Sequence, residues 1–242
     1  MDDEINKELQ DLKELPDLKD LKELPDYTRT EERFNMITHI AGGGLGVLAL
    51  IACVIVAVLN RNIWGVVSGA VYGFTVILLF TMSSIYHGLH IGKPKRVFQV
   101  LDHCSIYILI AGTYTPIVLN AFREAYPVDA WVMFGVIWGL AIIGVTLTGI
   151  DRKRFTIFAI TCYLGMGWMV VFNIKRMLEV LGVPFFVILL IGGVFYTVGV
   201  VFYALGGRKK FMHSVFHLFV NTASILHSVA ITVYIMPVTV RS

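Results

Sequence analysis

The chain has 242 residues, of which 57% are hydrophobic and only 15% charged, and its mean hydropathy is +0.75. That balance excludes a soluble globular domain and points to a multi-pass protein of the cell membrane. The net charge of +3 sums an acidic tail and basic loops, so it names no partner, and no nucleic-acid motif accompanies it.

Residues 1–35 hold twelve acidic and six basic side chains and repeat the heptapeptide Asp-Leu-Lys-Glu-Leu-Pro-Asp at 11–17 and 20–26. Pro16 and Pro25 interrupt any long helix, so this stretch reads as an acidic cytoplasmic tail, distinct from a membrane domain over 36–242. It lacks the basic start and immediate apolar run of a signal peptide.

From residue 36 onward, seven segments are each long enough to cross a hydrocarbon core of ~30 Å. They span about 36–59, 63–87, 97–119, 130–150, 156–174, 184–205 and 213–236. All are expected to be helices, because only a helix satisfies its own backbone in lipid. The expected fold is therefore an all-α bundle of seven transmembrane helices. Glycines recur within it at 42, 43, 44, 46, 135, 139, 192, 193 and 199, where they would let helices approach closely. Cys53, Cys104 and Cys162 stand singly, without the spacing of a disulfide framework or a thiolate metal site.

Lysines and arginines fix the expected orientation. Fifteen of them fall on the side that receives the tail and the loops near residues 88–96, 151–155 and 206–212, against five on the other side; without the tail the ratio is nine to five. The positive-inside rule then puts the N-terminus in the cytoplasm and the C-terminus outside.

Ionisable side chains inside such segments are costly, so they are read as facing the interior with a function. His213 and His217 are one helical turn apart on the same face, ~6 Å from each other, a spacing that can grip a metal ion. No Glu lies between them, so a proton-handling group would have to come from another helix. The expected topology brings His87, at the end of the second segment, to the same depth, with Ser83 one turn deeper and Asp102 level with both. Three imidazoles with an open fourth position make a common catalytic zinc set, and a carboxylate beside it can take and return a proton. Ser83 could donate a hydrogen bond to a developing oxyanion. Blander readings stay open: histidines bonded to backbone or hydroxyl groups, Ser83 bonded to its own helix, and Asp102 paired with Lys95 or Arg96. His39 also belongs to the cytoplasmic side. His227 lies ~15 Å beyond His217 and reads as a packing or hydrogen-bonding residue, while His90 and His103 read as exposed or structural.

Several dispersed motifs together carry a likeness. They are Glu32-x-x-Asn35-x-x-Thr38-His39, Ser83-x-x-x-His87, Asp102 within Leu-Asp-His-Cys-Ser-Ile-Tyr-Ile-Leu-Ile-Ala-Gly-Thr-Tyr-Thr-Pro, and His213-x-x-x-His217 followed by His227. In this order the chain resembles the progestin and adipoQ receptor (PAQR) family, and its bacterial hemolysin III branch most of all, over about residues 31–236. The resemblance implies seven helices with an inside N-terminus and a zinc ion held by His87, His213 and His217. It places Asp102 on the zinc-bound water and Ser83 nearby. It also implies kinship with intramembrane hydrolases that include alkaline ceramidases, hence cleavage of a lipid amide and a part in membrane lipid homeostasis.

Two functional classes follow. One is a zinc-dependent hydrolase with a membrane lipid as substrate; the other is a sensor or receptor-like protein in which zinc is structural. A channel or transporter has less support, since the sequence shows neither internal repeats nor paired broken segments. A secreted pore-former, which the word haemolysin suggests, does not fit a chain that reads as an ordinary integral protein.

Overall fold

The computed structural model describes residues 24, 25 and 27–238. Most of the tail, including all of the first heptapeptide copy, lies outside the described residues. Those described form helices and no strand. The long helices are α1 (Arg29–Leu59), α2 (Ile63–Gly88), α3 (Lys93–Pro116), α4 (Pro127–Asp151), α5 (Thr156–Gly167), α6 (Ile174–Gly206) and α7 (Met212–Ala230). Six helical stretches are long and apolar enough to cross a membrane. The outer surface carries exposed Ile37, Leu48, Ile55, Ile142, Phe172 and Val201, as a protein solvated by lipid should.

The ends of the helices follow from local chemistry. α1 begins seven residues earlier than its apolar run, because Thr28 and Glu31 form a capping box that satisfies two otherwise orphaned backbone groups. α3 does not stop at Pro116. It continues through a wide turn, Ile117–Phe122, into Arg123–Ala125, since proline removes one backbone bond and shifts the register of the others.

The largest departure from expectation lies between the fifth and sixth segments. Where two helices split at residues 175–183 are expected, a near-continuous helical stretch runs over Thr156–Gly206, interrupted once before that gap and once inside it. Residues Met169–Asn173 tighten into a 3-10 turn, and Gly182 takes φ 77° two residues before Pro184. A left-handed φ favours glycine, and Pro184 cannot donate a backbone bond, so the chain bends there. At the first break Tyr114 of α3 repairs the loss. Its hydroxyl donates to the Gly167 carbonyl at 2.9 Å and accepts from the Val170 N–H at 3.0 Å.

At one end of the bundle, α1 turns into α2 beside the end of α7, and two asparagines hold the junction. Asn62 caps α2 and donates to Asn120 at 3.0 Å and to the Val238 carbonyl at 2.6 Å, while Asn120 donates to the Ile235 carbonyl at 2.8 Å. These bonds satisfy carbonyls that the last turn of α7 leaves without a helical partner. The start of α1, the end of α2 and the start of α7 gather at the opposite end, where the ionisable residues lie.

Close approach depends on some of the glycines. A Cβ at Gly192 would collide with the His227 ring, and one at Gly42 would meet Asn221 and Phe80 at 2.5 Å. Gly44, Gly135, Gly139 and Gly193 have nothing within 4 Å of that position, so close packing does not account for them.

Candidate metal centre

The site is assembled where three helices share an end. α7 starts at Phe211, in a left-handed conformation, and its free N–H donates to the Glu31 carboxylate of α1 at 2.6 Å. A carboxylate at a helix N-terminus satisfies an orphan donor and complements the helix dipole. This contact fixes the start of α7 against the start of α1. His213 and His217 then follow on one face.

His87 arrives from α2, and the structure brings the three imidazoles together. One ring nitrogen from each of His87, His213 and His217 lies within 4.8 Å of the other two, and all three residues are buried. The Nε2 atoms of His213 and His217 stand 3.0 Å apart. Two bare lone pairs at that distance would repel, so a proton or a cation must lie between them. Four nitrogens at about 2.0–2.1 Å from one ion would lie roughly 3.3 Å from each other, close to what is seen.

The tautomer of His87 can be read from its partner. Its Nδ1 is 2.6 Å from the Glu32 carboxylate, which only accepts, so Nδ1 carries the proton and Nε2 presents a lone pair. That Nε2 is buried without a hydrogen-bond partner. A histidine held by a carboxylate on one nitrogen and offering the other is the usual arrangement of a metal ligand. The donor set, three buried imidazoles, could therefore hold a metal ion.

Glu32 is itself fixed by Lys95 at 2.9 Å. Lys95 is 2% exposed, and it also donates to the Tyr86 carbonyl at 2.8 Å and the Leu89 carbonyl at 3.0 Å. Its three protons are thus spent, two of them on carbonyls at the end of α2. Lys95 is not the partner of Asp102. Glutamine at Glu32 would leave His87 without its anchoring charge, and metal affinity is expected to fall about 10- to 100-fold, as measured by competition with a chromogenic chelator.

Asp102 and Ser83 lie at the same end, and both line an internal cavity of ≈ 450 Å³ together with His213 and His217. Ser83 is buried beside Asp102 on this cavity wall, within reach of its carboxylate. Asp102 stands outside the three-histidine group. Beyond these residues the cavity wall turns apolar, through Ile106, Leu109, Ile110, Ile117, Val170 and Leu189.

The other histidines separate by their bonds. His227 donates to the Leu189 carbonyl at 3.1 Å, as a packing residue would. His103 donates from Nδ1 to the Gln99 carbonyl at 2.7 Å, which leaves Nε2 to accept from Tyr203 at 3.0 Å. His90 is exposed. His39 stacks on His217 with ring centroids 3.7 Å apart, and both its nitrogens are buried and unpartnered, as is the Asn35 amide one turn away.

Sequence reasoning gave Glu32 no role beyond its motif, read Lys95 as a possible partner of Asp102, and missed Tyr27. The signal for Glu32 was its spacing of three and seven residues from Asn35 and His39, which puts all three on one face of α1. Tyr27 stacks on His213 with centroids 4.9 Å apart. Burial pushes its phenol well above the ordinary range, so it covers the cluster as a neutral ring.

Residues 27–228 match the haemolysin-III-related family. The chain is 37% identical to Hemolysin-3 of Bacillus cereus over 207 residues, covering 86% of this chain and 93% of that protein. It is 33% identical to the Hemolysin-3 homolog of Bacillus subtilis (strain 168), over 80% of this chain and 89% of that one. The human monocyte to macrophage differentiation factor is 29% identical over 85% of this chain and 84% of its own length. The match spans α1 to most of α7 and contains every residue of the histidine cluster: this chain is a multi-pass membrane protein of the haemolysin-III-related family, within the PAQR group.

Proposed function

We propose that the protein is a zinc-dependent hydrolase of lipid amides, acting in membrane lipid homeostasis from a bundle that crosses the membrane seven times with its N-terminus in the cytoplasm. The seventh crossing would come from the interrupted stretch 156–206, in which α5 and the part of α6 beyond the Gly182 bend would each cross once. At 51 residues the stretch is far longer than the ~20 that one crossing needs. The surplus of lysine and arginine at the histidine end supports its facing the cytoplasm.

The observation that carries the chemistry is the buried triad of His87, His213 and His217, two of which, His213 and His217, line an apolar cavity together with Asp102. The three imidazoles would hold the metal, with Glu32 and Lys95 fixing the orientation of His87. Zinc, when bound, supplies a Lewis acid that polarises a carbonyl and makes water acidic near neutrality. Asp102 would accept a proton from the attacking water and pass it to the leaving amine, so that the acyl carbon gains an oxygen and the amide nitrogen a proton. Ser83, on the same cavity wall, would donate to that carboxylate. The apolar wall houses the acyl chain and keeps bulk water from it.

The second reading, a receptor-like sensor with structural zinc, draws on the way Glu31 and Glu32 tie α1 to α7 and α2. The test is release of fatty acid from N-acyl lipids by purified full-length protein, with and without a strong chelator. Turnover that chelation abolishes is expected. Zinc that raises the melting temperature while no lipid is consumed would overturn the hydrolase in favour of the sensor.

A further inference from the structure

The histidine cluster is closed on every side that a cation could use. His87, His213 and His217 are all buried, and the deeper wall of the adjoining cavity is hydrocarbon, which a divalent ion crosses only at a large desolvation cost. Traffic must therefore pass at the polar end. There the Tyr27 ring lies over the cluster: it stacks on His213 with centroids 4.9 Å apart and planes 19° from parallel, and its centroid is 6.0 Å from that of His87. Pro25, two residues earlier, lines the cavity beside it.

Tyr27 is held in place by its neighbour. Thr28 donates its backbone N–H to one carboxylate oxygen of Glu31 at 2.9 Å and its hydroxyl to the same oxygen at 2.7 Å, while the other oxygen accepts from the Phe211 N–H at 2.6 Å. One carboxylate thus anchors the residue after Tyr27 and the residue two before His213, and the two rings meet face to face. The Tyr27 hydroxyl makes no hydrogen bond to a described residue. Stacking and burial alone keep the ring down, so it can swing aside by side-chain rotation without breaking a polar bond. The stretch 1–35 around it carries twelve acidic and six basic side chains, a balance that gathers cations near the start of α1.

We propose that Tyr27 is a lid on the histidine cluster: lifted, it admits water-borne reactants, a divalent cation first among them, and lying flat on His213 it holds that cation in. The inference rests on the reading of the cluster as a metal centre and adds how the metal comes and goes. A lid is crossed in both directions, so removing it speeds loading and release alike and leaves affinity where it was. A ring that merely braces the ligands would change affinity instead.

Zinc-loaded full-length protein in detergent is mixed with an excess of chromogenic chelator and release is followed by absorbance; loading of metal-free protein is followed with the same dye. Tyr27→Ala is expected to raise both rates about tenfold or more and to leave the dissociation constant within about twofold. Tyr27→Phe should match the unsubstituted protein, since the ring survives. Unchanged rates in Tyr27→Ala, or faster release matched by an equal loss of affinity, would overturn the proposal and leave a packing residue. A second readout needs no metal and uses Tyr27→Leu, which keeps apolar bulk without the flat ring. Diethyl pyrocarbonate acylates accessible imidazoles, and in metal-free protein acylation of His213, read by mass spectrometry against exposed His90, should also be about tenfold faster than without the substitution. Equal acylation of His213 in both proteins would overturn the lid. A protein that binds no zinc yet opens His213 to the reagent when the ring is lost keeps the lid and loses the metal centre; one that binds zinc with rates indifferent to Tyr27 does the reverse.

Discussion

Alanine at His217 is expected to reduce bound metal from about one ion per chain to under about a tenth, measured by elemental analysis of protein purified without a polyhistidine tag. The magnitude follows from the number of ligands. Three imidazoles are the whole donor set, and two remaining nitrogens on different helices cannot hold a divalent ion against water with comparable affinity. No neighbour is placed to compensate. His39 stacks face to face on His217, so its nitrogens lie beside the ring rather than at the point where the Nε2 atoms converge. His87→Ala should have the same effect from the opposite helix. His90→Ala should have none, since His90 is exposed. Full metal content in His217→Ala would leave the cluster as three mutually hydrogen-bonded histidines and remove the basis for any metal chemistry.

That the cluster could be anticipated at all reflects how rigidly a membrane helix converts sequence into depth. Apolar boundaries fix where each segment starts, and a rise of 1.5 Å per residue then sets the level of every side chain along it. His87, near the end of one segment, and His213, near the start of another, must share a level, and the structure joins them with His217. Rotation about the helix axis is less legible, because it depends on packing against neighbours. This is why Ser83 was open between an oxyanion and its own helix until the structure set it beside Asp102 on the cavity wall. Glu32 and Lys95 were obscured for another reason. Both lie outside the apolar runs and look like solvated charges, yet the capping box at Thr28 extends α1 outward and draws Glu32 into the bundle. The gap expected at 175–183 is only partly a break: Lys175 and Arg176 stay helical, and the backbone leaves helical φ at Gly182, inside that gap.

Asparagine at Asp102 is expected to leave metal content and melting temperature unchanged while turnover of a lipid amide falls by about 10²- to 10⁴-fold, the range that a positioned acid or base contributes. The substitution keeps the shape of the side chain and its capacity to accept a hydrogen bond. What it removes is basicity. An amide oxygen cannot take a proton from water or return one to a leaving amine, and among the described residues no other carboxylate lines the cavity, Glu32 being occupied by His87 and Lys95. Because Asp102 stands outside the three-histidine group, its loss should not release metal. The two readouts therefore separate the roles. Intact metal with lost turnover places Asp102 in proton transfer. Lost metal would mean that Asp102 acts as a ligand, closing the fourth position and favouring the sensor. Intact metal with intact turnover would move proton transfer to another group, and His103, bonded through Nε2 to Tyr203 on the same cavity wall, would be the next to replace.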